Sequence, residues 1–209
     1  MNPLLVARES VTVSVLLLAA GCATTTAPAP SGFLDDYTSL VETPEDPSLL
    51  WWERTGFDWT DYHALMIDPV EIYFDPVGQD RAVSAAELAQ LKSEFHAAVM
   101  EVLGDDYPLV TKPGAGVLRI RCAITDVVPV RPGVNVAASL VAFVPLETGG
   151  ASIEVEFIDS VTGERLAAGV DQKIGSRLDG FTSFSKLGYA REAFHTWATE
   201  LRAALDTNP

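Results

Sequence analysis
The sequence predicts an α+β fold: a small, mostly antiparallel sheet of about four strands with two helices packed on one face, in strand-helix-strand-strand-strand-helix order. Three observations predict it. Two segments repeat apolar residues three and four apart, as amphipathic helices do. Three segments alternate apolar and polar residues, as half-buried strands do, and a fourth returns after a tight turn. Turn residues (glycine, proline, aspartate) separate them.

The first strand region runs from Ala64 to Phe74. Leu65 and Ile67, then Val70, Ile72 and Phe74, are apolar at alternate positions, and the parity changes across Asp68-Pro69. Proline donates nothing to a strand ladder, so Pro69 marks a bulge or an edge. Ser84-Ala85-Ala86-Glu87 reads as a capping box, in which serine and glutamate satisfy free amides at a helix start. Leu88, Leu91, Phe95, Val99 and Val102 then form one apolar face, and Gly104 is expected as a left-handed C′ residue. After Pro113-Gly114-Ala115-Gly116, a second strand places Leu118, Ile120, Cys122 and Ile124 on one face. Arg119, Arg121, Ala123 and Thr125 take the other. Ile153, Val155 and Phe157 alternate with Glu154 and Glu156 in a third strand, a turn follows over 159–164, and residues 165–174 return as a fourth. If the second and third strands are neighbours, Arg119 and Arg121 meet Glu154 and Glu156 on the outer face. The last helix runs from near Lys186 to Leu205, with Ala190, Phe194, Trp197, Leu201 and Leu205 on its apolar side.

The amino terminus reads as an export signal. Arg8 precedes an apolar run from Val11 to Ala20, and Ala19-Ala20-Gly21 lead into Cys22. A cysteine directly after such small residues is the attachment point of a bacterial lipoprotein, although Ala19 stands where leucine is usual. The run is too short for a membrane span, which needs roughly 18 or more apolar residues. The expected organisation is a signal peptide over 1–21, a lipidated Cys22 with a flexible tether over 22–31, and one globular domain over 32–209. The expected location is the cell envelope. Ala23 after the cysteine favours the outer membrane, with the domain facing the periplasm and the bilayer engaged through Cys22.

The 209-residue chain carries a formal net charge of −15. That charge repels phosphates and anionic headgroups, so nucleic acid is not an expected partner. Hydrophobic residues make up 48%, too many for a disordered chain. With Cys22 lipidated, Cys122 has no disulfide partner and is expected to be a buried apolar side chain.

Two segments invite functional readings. Trp51, Trp52, Phe57, Trp59 and Tyr62 cluster in sequence. The favoured reading is a non-regular arm whose aromatics plug into the core, since buried area dominates aromatic energetics. The alternative is a peptidoglycan- or glycan-binding module that stacks sugars on Trp51, Trp52 and Trp59. Residues 130–150 are apolar without clean periodicity. They read either as a short buried element or as a contact surface for an envelope protein, with Asn135, Leu140, Val141, Phe143 and Val144 as its residues.

No catalytic, cofactor or metal site is expected. His63, His96 and His195 share no metal-ligand spacing, and Gly114-Ala115-Gly116 opens a strand rather than a phosphate-binding helix. Asp159 is expected to bond its own backbone in the 159–164 turn. A hydrolase using paired carboxylates is the least favoured alternative.

Several segments together carry a resemblance. They are the signal with Gly32-Phe33-Leu34-Asp35-Asp36-Tyr37; Tyr62 with Asp68-Pro69-Val70; Ala151-Ser152-Ile153-Glu154 with Asp159-Ser160 and Thr162 to Ala168; and Trp197-Ala198 with Leu201-Arg202 and Leu205-Asp206. In this order they resemble the bacterial lipoprotein family of domain of unknown function 3313, over essentially the whole mature chain. The resemblance implies an uncharacterised envelope lipoprotein with no established catalytic residues. The expected function is therefore that of a membrane-anchored, non-enzymatic interaction or structural module.

Overall fold
A computed structural model describes residues 28–73, 83–104, 106–130, 132, 149–175 and 185–206. Cys22 and the leader, Phe74, and the segment holding Asn135, Leu140, Val141, Phe143 and Val144 lie outside the described residues. The elements are β1 (Val41–Glu42), β2 (Leu49–Glu53), β3 (Ala64–Ile67), β4 (Glu71–Ile72), α1 (Ala85–Leu103), β5 (Val117–Val128), β6 (Gly150–Asp159), β7 (Arg165–Ile174) and α2 (Gly188–Asp206).

Among the described residues one sheet holds all seven strands, in the order β1-β2-β7-β6-β5-β3, with β4 also paired to β5. The expected count of about four is too low. The α+β class and the mostly antiparallel sheet hold, but β3 and β4 run parallel to β5. Pro69 splits this edge as its missing donor requires: β3 ends before Asp68, and β4 resumes after Val70.

The arm is also more regular than expected. Residues 49–53 form β2, which pairs antiparallel with the whole upper half of β7. A strand that places apolar side chains on both faces shows no alternation in sequence. In β2 both faces are covered, Trp51 packing with the helix-side core and Leu50 with a second cluster behind the sheet. The run Leu49-Leu50-Trp51-Trp52 therefore shows no period.

The helices form as their sequence dictates. Ser84 Oγ accepts from Glu87 N at 3.3 Å and Glu87 Oε2 accepts from Ser84 N at 2.7 Å, closing the capping box. Lys186 bonds the other Glu87 oxygen at 2.7 Å, and this bond with the Ser84 bonds holds the carboxyl down at about 2. The helix end differs from expectation. Gly104 has φ −60° and remains right-handed, because Asp106 N and Tyr107 N turn back onto Leu103 O at 3.1 and 2.9 Å. Leu91, Phe95 and Val99 of α1 and Ala190, Phe194, Trp197 and Leu205 of α2 are buried in the main core. Phe95 and Phe194 meet edge to face at 5.4 Å between the helices.

That core lies on the face that carries Ile120, Cys122, Ile153 and Phe157. The opposite face, expected to be open, is covered by the chain entering the domain: Phe33 and Leu34 are buried against Ala123, Ala168 and Val170. Burying each such side chain contributes roughly 1.5–3 kcal/mol.

Arg121 meets Glu156 at 2.7 Å, as cross-strand register predicts. Arg119 instead makes a two-pronged contact with Asp68, and Glu154 pairs with no arginine among the described residues. Glu154 sits between Ala123 and Val170 in register and has no exposed surface. Its carboxylate accepts from Ser31 N at 2.6 Å, Leu34 N at 3.3 Å and the Tyr37 hydroxyl at 2.5 Å. Tyr37 also accepts from Gly32 N and Leu34 N. Burial, together with the Glu154 carboxylate, pushes the Tyr37 hydroxyl up to about 12, so it stays a donor at every physiological pH.

Glu154 thus latches the entering chain to the sheet. Glu154→Ala leaves the Ser31 amide and the Tyr37 hydroxyl without their acceptor and takes one of two acceptors from the Leu34 amide, which keeps the Tyr37 oxygen. An unsatisfied buried group costs about 1–3 kcal/mol. The expected outcome is a lower urea midpoint and faster hydrogen exchange at the Ser31 and Leu34 amides. Unchanged exchange at both amides contradicts the latch.

Candidate functional site
A cavity of about 500 Å³ lies between the sheet and the helices. That is within the range of small-molecule sites, roughly 300–1,000 Å³. Its floor is built by register. Leu49, Asp171, Ile153 and Ile124 form one row across the sheet, and Trp51, Gly169, Val155 and Cys122 form the next. Most of these residues line the cavity, and α1 and α2 close it with Phe95, Val99, Trp197, Ala198, Leu201 and Ala204.

Gly169 is the residue that lets Trp51 lie over β7. A Cβ at this position would stand 2.7 Å from Trp51 Cε3. Trp51 then stacks with Trp59 at 6.4 Å and 20°, and both rings meet Phe157, at 5.9 and 5.1 Å. Trp51 and Trp59 therefore belong to the cavity wall and are half-buried. Trp52 points to the opposite face, where the Arg165 guanidinium covers its ring at 5.2 Å. The three tryptophans named for sugar stacking are not one platform.

One end of the cavity is ionic. Lys173 reaches Asp171 at 3.0 Å, Glu200 at 3.1 Å and Asp46 at 3.2 Å. Asp171 is only 5% exposed, yet it faces an apolar core. Trp197 Nε1 donates to its Oδ2 at 2.7 Å, while its Oδ1 has no hydrogen-bond partner among the described residues. Asp46 is further held by Ser48, through both its amide and its hydroxyl. Burial works against the Lys173 charge, but Asp171 and Glu200 outweigh it and hold the ammonium above the ordinary lysine range. Burial raises the Glu200 carboxyl, and Lys173 only partly offsets that.

The chemistry available is recognition. Three carboxylates converge here, but all three are turned onto one ammonium. Cys122 also lines the cavity, and burial pushes its thiol up to about 12, so it is not a thiolate at neutral pH.

The other sequence candidates lie elsewhere. His63 packs against Gly116 before β3, His96 lines a separate cleft along α1, and His195 approaches Glu101 at 3.8 Å. Asp159 accepts from Val161 N and Thr162 N in its own turn, as expected, with Gly163 at φ +73°. Asp106 pairs with Arg202 at 2.7 Å.

The ionic end was not read from sequence, although a signal is present. Gly169, Asp171 and Lys173 occupy alternate positions of one strand, so they share a face. Two charges on the face that a helix covers imply a buried ionic site.

Fold and site together define the class: an α+β domain with a preformed, mainly apolar cavity between sheet and helices. The particular family follows from the sequence match. A model described as protein of unknown function, DUF3313, matches residues 29–201, and the chain belongs to that family. Among curated proteins, none matches significantly. Solved structures are similar at a distance. The PelC dodecamer from Paraburkholderia phytofirmans aligns over 77% of this chain and 98% of its own, at 11% identity and TM-score 0.43. The hypothetical protein CT253 from Chlamydia trachomatis aligns over 70% and 99%, at 10% identity and TM-score 0.40. A DUF4136 family protein from Bacteroides thetaiotaomicron aligns over 80% and 97%, at 8% identity and TM-score 0.39.

Removing the central ammonium tests the ionic end. Breaking a buried ion pair from one side costs about 3–5 kcal/mol. Lys173→Met is expected to lose stability on that scale in urea unfolding, and Lys173→Met with Asp171→Leu to recover much of it. A single variant as stable as the parent contradicts the arrangement.

Proposed function
We propose that this chain is a lipid-anchored envelope protein whose domain binds a largely apolar small molecule in the cavity beneath α2, without transforming it. The observation that carries the reading is the cavity itself, a space of about 500 Å³ walled by Trp51, Trp59, Phe157, Phe95 and Trp197. Half-buried and buried aromatic walls favour an apolar occupant. The carboxylates at its end are committed to Lys173 and the Cys122 thiol is protonated, which supports binding rather than catalysis.

The anchoring part of the proposal rests on the sequence around Cys22. It fits a domain whose first described residues are fastened to the sheet by Glu154, so that only the stretch before them separates lipid from fold. Among the described residues, no helix is long and apolar enough to cross a membrane. Palmitate labelling in cells is expected to mark the parent and not Cys22→Ser, and label retained by the variant contradicts the anchor.

The binding part has its own test. Nile red, an uncharged apolar dye, is expected to brighten and shift blue with the full chain. Ala204→Trp places a large ring at a half-exposed position of the cavity wall, so it is expected to abolish the signal while circular dichroism stays unchanged. No dye signal from the parent, or an equal signal from a folded Ala204→Trp, contradicts the reading.

A further inference from the structure
The cavity has a charge polarity that its apolar walls do not explain. At one end Asp46, Asp171 and Glu200 surround a single ammonium, Lys173, and Glu45 also lines the cavity. Three carboxylates against one cation leave that end net negative. The whole chain adds to this, at a formal −15. The negative end is built rather than incidental. Asp171 is 5% exposed, is held in place by the Trp197 indole, and keeps one oxygen without a hydrogen-bond partner among the described residues. A buried acceptor left unsatisfied is costly, and a donor-bearing ligand group relieves that cost. Asp46 and Glu200 are more open, with side chains 39% and 52% exposed, so the end is reachable from solvent.

The aromatic walls point the same way. Trp51, Trp59, Phe157 and Trp197 all line the cavity beside these carboxylates. Indole and phenyl faces attract cations, more strongly when water is excluded. Carboxylates with aromatic faces recognise an organic cation and repel an anionic one. A fatty-acid carboxylate, the obvious occupant of an apolar cavity, would meet a net negative charge at this end.

We propose that the cavity is a site for a cationic amphiphile, a molecule with an apolar body and an ammonium or guanidinium end, with the cation seated against Asp46, Asp171 and Glu200. This rests on the binding reading above and adds the chemical class of the ligand. No bond is made or broken. The lysine fixes the carboxylates in place, and the ligand supplies the second cation that they lack.

The test compares octylamine, octanol and octanoate by isothermal titration calorimetry on the full chain. The expected order is octylamine tightest, by about tenfold or more over octanol, with octanoate weakest; tenfold corresponds to about 1.4 kcal/mol. Asp46→Asn with Glu200→Gln, at the two more exposed positions, is expected to reduce the amine preference to about threefold or less. Nile red binding by that variant is expected to persist, since the apolar walls are untouched. Octanol binding as tightly as octylamine, with Nile red still bound, overturns the cationic proposal and leaves the cavity reading standing. An amine preference unchanged in the double variant overturns it as well, by placing the amine elsewhere. Failure of both Nile red and octylamine to bind overturns both readings.

Discussion
Lys173 is the joint of this domain. Its ammonium is the shared partner of Asp46 from the chain before β2, of Asp171 within β7 and of Glu200 on α2. Through Asp171 it also fixes Trp197, whose indole bonds the same carboxylate oxygen. An early segment, the sheet and the last helix are thereby held at one point. Buried charge is expensive, and ion pairs under cover rarely exceed a hydrophobic replacement in stability. Their value here is positional. The contacts keep the end of the cavity polar and tie the three segments together there.

The second constraint is that both faces of the central strands must be covered. The helices supply one cover and the entering chain supplies the other. Phe33 and Leu34 pack against Ala123 and Val170. Glu154 fixes the segment that carries them, because its carboxylate accepts from the Ser31 and Leu34 amides and the Tyr37 hydroxyl together. Arg121 extends the same cover, paired to Glu156 and lying over the Phe33 ring at 5.4 Å. The interior of the sheet therefore depends on two ionic fixtures, one on each side.

How much of this was legible in the sequence follows from what each pattern can report. The helices were legible because capping at Ser84 and spacing from Leu88 to Val102 are local signals. β5 and β6 were legible because charged and apolar residues alternate along them, and β7 because it returns after the 159–164 turn. β2 was not, since apolar side chains on both faces erase alternation. Nor was the role of Glu154. An alternating glutamate usually marks a wet face, and only the arrival of the distant Ser31–Tyr37 segment makes that face dry. The cavity was half visible: Trp51 and Trp59 were expected to plug the core, and they do line its wall. Its ionic end requires Asp46, Asp171, Lys173 and Glu200 to meet from three elements. Only the pair in β7 leaves a trace in local order. The contact surface expected around Asn135–Val144 lies outside the described residues, and Cys22 does too.

The central claim is that the space beneath α2 is a binding site and that its negative end orients the ligand. Intermolecular nuclear Overhauser effects between octylammonium and the full chain address it most directly. Contacts from the octyl methylenes to the Trp51 and Trp59 ring protons, with the nitrogen-bearing end nearest the Asp171 and Trp197 side, are the result expected. Contacts confined to outer residues such as Val161, or a ligand lying in the cavity with its ammonium turned away from Asp171, would contradict it.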